Sequence, residues 1–181
     1  MSLREAIVMK QSRGLIQVYT GDGKGKTTAA LGLALRAVGQ GMKVIVIQFI
    51  KGDHTCGEHL FATRYRPFEI VQPNIKSSFD QSFEELRPST EQTFILAEKT
   101  ILGGDYDMVI LDEILVAVNK GLISTEQALT LMSRKPEKME LILTGRGAPK
   151  EIIQRADLVT EMVAVKHPFG KGIAARRGIE Y

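Results

Sequence analysis

A three-layer α/β sandwich on a mostly parallel sheet is the fold class this sequence predicts. Three observations carry that reading. Short runs such as KVIVIQFI and YDMVILDE are apolar without polar alternation, as strands covered on both faces require. These runs alternate with stretches of helix formers. The first alternation passes through a glycine-rich turn, so that strand, turn, helix and buried strand make a βαβ unit. The chain has 181 residues, a length suited to one domain with one sizeable core, and residues 1–181 are read as that domain.

The elements follow in order. Leu15–Tyr19, LIQVY, reads as a strand, and TTAALGLALRAVG as a helix that stops at Gly39 and Gly41. Lys43–Ile50 is the buried strand that completes the unit. From Lys51 to Ser89 the pattern is least regular, with FEIVQ as a short strand in a segment long enough to be functional or mobile. STEQTFILAEKTILGG restores helical spacing through Phe94, Ile95, Ile101 and Leu102 and stops at Gly103. YDMVILDE is a buried strand ending in acid. STEQALTLMSR opens on Ser124 with Gln127 three residues later, a capping-box signature. MELILTGRG is a strand running into a glycine turn, Pro149 suits the first turn of PKEIIQRA, and DLVTEMVAV is a last strand. In such a sheet the ligand site lies at the carboxyl ends of the strands.

The bulk chemistry narrows the function classes. A net charge of +3 is too small to argue for nucleic acid. The basic residues gather at Lys24 and Lys26 and in KGIAARRGIEY, which favours local anion sites over a basic face. No apolar run approaches bilayer-spanning length. The opening MSLREAIVMKQSRG has no signal-peptide core, and the single Cys56 cannot form an internal disulfide, a combination that fits the cytoplasm.

Chemistry concentrates in TGDGKGKTT. A helix start offers unpaired N–H groups and the positive end of its dipole, glycines let the backbone wrap an anion, and lysine neutralises outer phosphates. Gly25-Lys26-Thr27 supplies the end of the phosphate-loop pattern, while Thr20 stands at its first glycine position, with Gly21 one place later. A plain turn would need neither lysine nor two threonines. In VILDE, Asp112 and Glu113 end a buried strand, where a magnesium partner for the Thr27 hydroxyl is expected; an acidic cap on the next helix is the alternative. Arg146, in LTGRG, emerges at the same edge and suits a terminal phosphate, or else a surface salt bridge.

The stretches GLIQVYTGDGKGKTTAALGLALRAVGQGMKVIVIQFIKG, YDMVILDE, LILTGRGAPKEIIQRADLVTEM and VKHPFGKGIAARRGIEY together resemble the P-loop-type ATP:corrinoid adenosyltransferases. The resemblance covers both ends and most of the second half of the chain. It implies a RecA-like fold, a homodimer, and transfer of the 5′-deoxyadenosyl group of ATP to the Co(I) of a corrinoid, with triphosphate as the leaving group. It implies ATP binding by Gly21, Asp22, Gly23, Lys24, Gly25, Lys26, Thr27 and Thr28, with Lys26 and Arg146 acting on the phosphates. It implies Mg²⁺, with Mn²⁺ as an alternative ion, on Thr27 and the pair Asp112/Glu113, with Glu113 the direct ligand. A flavoprotein reductase is the implied electron-supplying partner. Members often carry a glycine-phenylalanine-x-tryptophan stretch on the corrinoid side. This chain has no tryptophan; KSSFDQSFEEL offers Phe79 and Phe83, as an aromatic wall or as one apolar helical stripe packed on the core.

Two other functions fit a phosphate loop: a small ATPase or kinase, and a nucleotide-sensing switch that binds a partner protein. Among smaller signals, His54, Cys56 and His59 fit no standard zinc spacing and read as a solvated loop. Arg176 and Arg177 attract substrate anions or are simply solvated. SLREAIVMK is an amphipathic helix covering the corrinoid side or a dimer partner, or a frayed end.

Overall fold

The computed structural model describes residues 13–52, 55–74 and 81–181. Strands β1 (Ile16–Thr20), β2 (Val44–Gln48), β3 (Glu69–Val71), β4 (Met108–Asp112), β5 (Glu140–Thr144) and β6 (Leu158–Glu161) form one sheet. Their order is β3-β2-β4-β5-β1-β6, and every neighbouring pair is parallel. The helices are α1 (Lys26–Gly39), α2 (Gly57–Tyr65), α3 (Phe83–Gly103), α4 (Ile114–Asn119), α5 (Thr125–Ser133) and α6 (Lys150–Arg155), followed by a 3₁₀ turn at Pro168–Lys171.

Side-chain alternation along the strands sorts the core into two layers. Val44, Val46, Met108, Ile110 and Ile142 pack beneath Ala30, Ala34 and Ala37 of α1. Their neighbours Ile45, Ile47, Val109, Leu111, Leu141 and Leu143 face the other way, onto side chains of α3, α4, α5 and α6. Both faces of the central strands are therefore buried, which is why β2 and β4 read as unbroken apolar runs. On α1 the buried stripe is Lys26, Ala30, Ala34 and Ala37, so the small residues that seat the helix on the sheet continue directly into the lysine of the glycine turn. The edge strand β6 is different: all four of its residues are exposed.

The expected capping box at Ser124 and Gln127 is present, with both reciprocal bonds formed. The described residues of the irregular stretch after Lys51 hold more regular structure than its composition suggests. They include α2, and α3 starts at Phe83 instead of at the second helical run after Pro88. Two side-chain bonds explain the early start: the Ser82 hydroxyl accepts from the Glu85 N–H at 3.3 Å, and the Glu85 carboxylate accepts from the Ser82 N–H at 2.8 Å. Pro88 removes one helical donor, and the helix runs through it to a left-handed Gly104.

Ala34 has no exposed surface against the sheet. Ala34→Leu should therefore overpack the layer beneath α1 and cost about 1–3 kcal/mol of unfolding free energy. A urea titration that matches wild type would refute the close seating of this helix.

Candidate functional site

The site grows from the start of α1. Its N-cap is Gly25, at φ 120°, and no side chain caps it or places an acid in its first turn. Helices α3 and α5, by contrast, are closed by capping boxes. The first-turn N–H groups of α1 are thus left for something else, in the field of the helix dipole. The loop that precedes them is moulded on the exit of β6. Gly23 donates its N–H to the Met162 carbonyl at 2.6 Å. A Cβ on Gly21 or Gly23 would come within 2.5 or 2.7 Å of that same oxygen. Thr20, at the pattern's usual first glycine, is still a strand residue paired with Glu161, and its hydroxyl accepts from the Ala148 N–H at 3.3 Å. A side chain is needed there to tie the loop to the turn after β5.

Lys26 is buried and its ammonium lies inside the loop, donating to the carbonyls of Gly21 at 2.7 Å and Gly23 at 2.8 Å. Burial lowers its pKa, with Arg146 adding to the effect and Glu113, Asp22 and Asp112 opposing it. Thr27 donates its hydroxyl to Asp112 Oδ1 at 2.8 Å. Thr28 lines the cavity, whereas Asp22 is an exposed loop residue outside its lining. Lys24, an exposed residue that also lines the cavity, is paired to Glu180 at 2.7 Å.

Behind the loop, Asp112 has no exposed surface. Its Oδ1 accepts from Thr27 and, at 2.7 Å, from Thr144. Its Oδ2 accepts from Gln48 at 3.1 Å and from Lys51 at 2.7 Å. Burial alone would raise this carboxyl's pKa. The Lys51 charge and hydrogen bond, with those of Thr144 and Thr27, outweigh burial and hold it below the usual carboxylate range. With every lone pair engaged, Asp112 holds the site from behind and has no oxygen left for direct ligation. Lys51 reaches it through an unusual backbone: Ile50 sits at φ 63°, and the Lys51 N–H bonds the Phe49 carbonyl at 2.6 Å, closing a tight turn that is costly for a β-branched residue.

Glu113 is the opposite case. It too adopts a left-handed conformation, at φ 62°, and its N–H is held by the Thr144 hydroxyl at 2.9 Å. Its carboxylate accepts no hydrogen bond among the described residues. Burial raises its pKa, the neighbouring Asp112 raises it further, and Lys51, Lys26 and Arg146 pull the other way. Arg146 stands exposed between Gly145 and Gly147, both at positive φ, with no ion pair among the described residues. Lys26, Thr27, Glu113 and Arg146 all line one cavity of about 900 Å³, together with residues 167, 168, 173–175 and 178–181. The donor set suits Mg²⁺: Thr27, by donating to Asp112, leaves its oxygen lone pairs free, and Glu113 is a partly buried carboxylate in need of a positive charge.

Three contributors escaped the sequence reading: Gln48, Lys51 and Thr144. The signal for two of them was a polar side chain at the carboxyl end of an otherwise apolar strand, where burial demands a partner. Phe83 is the first residue of α3, 41% exposed under the Arg87 guanidinium, so it does not pack on the core; it is not among the residues that line the cavity. Phe79 lies outside the described residues. The solvated-loop reading of His59 is corrected: it is buried on α2 with Nε2 at 2.7 Å from Gln48 Oε1, which brings it into contact with the Asp112 network. His54 is outside the described residues.

An all-parallel sheet, a glycine loop feeding an uncapped helix and a buried acid on the next strand but one define an α/β protein with the P-loop nucleotide-binding fold. Residues 12–181 match the family described as ATP:corrinoid adenosyltransferase BtuR/CobO/CobP. The chain is 35% identical over 175 residues to the corrinoid adenosyltransferase of Pseudomonas aeruginosa, covering 95% of this chain and 86% of that one. It is 37% identical over 174 residues to that of Escherichia coli K12, covering 95% and 88%. The chain belongs to the ATP:corrinoid adenosyltransferase family and is a transferase. Among solved structures, the flagellar accessory protein FlaH from Methanocaldococcus jannaschii superposes with a TM-score of 0.55 at 11% identity, covering 89% of this chain and 78% of that one, a likeness of fold alone.

Lys51→Met would leave Asp112 buried without its charge partner. Because the lysine head is itself partly solvated, the expected loss is about 2–3 kcal/mol, below that of a fully buried pair. Asp112's depressed pKa contributes stability above pH ~4 that is lost as pH falls through the folded-state value. In the variant that pKa rises, so the acid-unfolding midpoint should move to higher pH. An unchanged midpoint would show that Lys51 does not govern Asp112.

Proposed function

We propose that this protein, acting as one domain, binds ATP with its triphosphate on the loop Gly21–Thr28 and presents the ribose C5′ to the cobalt of a reduced corrinoid. The observation that carries the reading is the start of α1, uncapped by any side chain among the described residues and without an acid in its first turn, beside the buried Lys26 ammonium. Family membership selects the reaction over an ATPase, a kinase or a nucleotide switch. The Co(I) electron pair forms a Co–C5′ bond, the C5′–O bond breaks, and its electrons leave with triphosphate. Such a nucleophile needs no general base. The protein's work is to orient C5′ and to neutralise charge growing on the departing oxygen. Loop amides and Lys26 suit the near phosphates, and Arg146, without an ion pair among the described residues, suits the far end as a bidentate donor. Thr27 and Glu113 would hold Mg²⁺ or Mn²⁺, with Asp112 fixing the Thr27 hydroxyl from behind. The ion would supply further neutralisation of the triphosphate.

We further read the enzyme as a cytoplasmic homodimer served by a flavoprotein reductase. The family resemblance supports this, and the single cysteine fits the compartment; among the described residues no helix is long and apolar enough to cross a membrane.

The deciding assay supplies ATP, Mg²⁺ and a corrinoid under strong reductant. Intact triphosphate with a light-sensitive alkylcorrinoid is expected, whereas ADP and free phosphate would overturn the assignment. Lys26→Ala should abolish turnover; near-normal rates would remove the loop from the mechanism. Glu113→Gln should weaken Mn²⁺ binding in the presence of ATP by roughly tenfold or more, read by electron paramagnetic resonance. Equal affinity would transfer the ion to other ligands.

A further inference from the structure

The segment Arg176–Tyr181 folds into a small closed turn. Gly178 donates to the Tyr181 carbonyl at 2.7 Å, and Ile179 and Glu180 donate to the Arg176 carbonyl at 3.2 and 2.9 Å. The Glu180 side chain is its centre. Oε2 accepts from the Arg176 N–H at 2.8 Å and from its Nε at 3.2 Å, and Oε1 accepts from its guanidinium at 3.1 Å. The same Oε1 accepts from the Lys24 ammonium at 2.7 Å, and that ammonium also donates to the Ile179 carbonyl at 2.8 Å. Hydrogen bonds from Arg176 and Lys24 draw the Glu180 pKa down to about 2, so the carboxylate stays charged throughout the neutral range. Residues separated by 155 and 156 positions are thus fastened together at the tip of the phosphate loop. Ile173, Ala175, Ile179 and Glu180 itself line the same cavity as Lys24, Lys26 and Thr27.

We propose that Glu180 is a positioning residue, a clip that fastens the 173–181 strap to the tip of the phosphate loop through Lys24 and so holds the cavity closed around bound nucleotide. This rests on the nucleotide reading of the cavity. The clip uses only the Lys24 side chain. Gly25, Lys26, Thr27 and Thr28 line the cavity and take no part in the clip, and the first turn of α1 stays uncapped, so closure and phosphate binding are compatible. An exposed ion pair is weak and screened by salt, which lets the strap open for exchange of substrate and product.

The test compares wild type, Glu180→Asp and Glu180→Gln. Trypsin cleavage after Arg176 and Arg177 is followed by mass spectrometry without nucleotide, and ATP affinity is measured by equilibrium dialysis without corrinoid. Glu180→Gln should be cut faster and bind ATP more weakly, each by roughly two- to fivefold, the range of one exposed charged pair. Glu180→Asp should fall between. In turnover the KM for ATP should rise by the same factor, with kcat and melting temperature unchanged. In 1 M salt the differences should vanish. Equal cleavage and equal affinity in Glu180→Gln would overturn the clip, and tighter ATP binding would make the strap a blocker instead. If wild type binds no ATP, the nucleotide reading itself fails, while the trypsin arm still reports whether Glu180 holds the strap.

Discussion

Asp112 is a charge with no exposed surface, and the carboxyl edge of the sheet is organised around keeping it ionised. Removing a carboxylate from water is so unfavourable that it survives only with its oxygens fully partnered. Here the partners come from four places: Thr27 at the start of α1, Thr144 at the end of β5, Gln48 at the end of β2, and Lys51 beyond the tight turn at Ile50. One side chain therefore fixes the relative heights of three strand ends and the first turn of the helix above them. The backbone distortion at Ile50 makes sense in that light, because it folds Lys51 back over the sheet edge.

The adjoining carboxyl shows how sharply environment separates two neighbours in sequence. Asp112 is held below the usual range and Glu113 is pushed above it. The difference is not burial, which opposes ionisation of both, but donors: one is saturated and the other has none among the described residues. Pairs of titratable groups driven apart in this way mark divided labour. One acid is structural and permanently satisfied, and the other is left wanting a cation at the place where a polyphosphate would arrive.

The central strands and α1 were legible because both rest on local rules. Two-sided burial makes β2 and β4 continuous apolar runs, and a lysine-rich glycine turn before a good helix former has few other uses. The capping box at Ser124 and Gln127 was equally visible. The start of α3 was not, because Pro88 reads as a boundary while the capping pair that overrides it, Ser82 with Glu85, lies upstream among polar residues. In the site, Lys26 and Thr27 stand out by spacing, and the pair Asp112/Glu113 by its place at the end of a buried strand. Gln48, Lys51 and Thr144 do not, since their role exists only once parallel pairing brings β2, β4 and β5 level. Phe83 reads as either wall or core for a related reason: an aromatic in an irregular segment says nothing about which way the chain faces.

The glycine loop lies directly on the backbone at Met162, with no room for a methyl group at Gly21 or Gly23. Its curvature is therefore cast by the chain leaving β6, and little ordering is left to be done when an anion arrives. It also means that the outermost strand, exposed and otherwise free to drift in sequence, carries a hidden obligation. An insertion or deletion between Glu161 and Val163 would deform the cradle from outside while every residue of the signature stretch stayed the same.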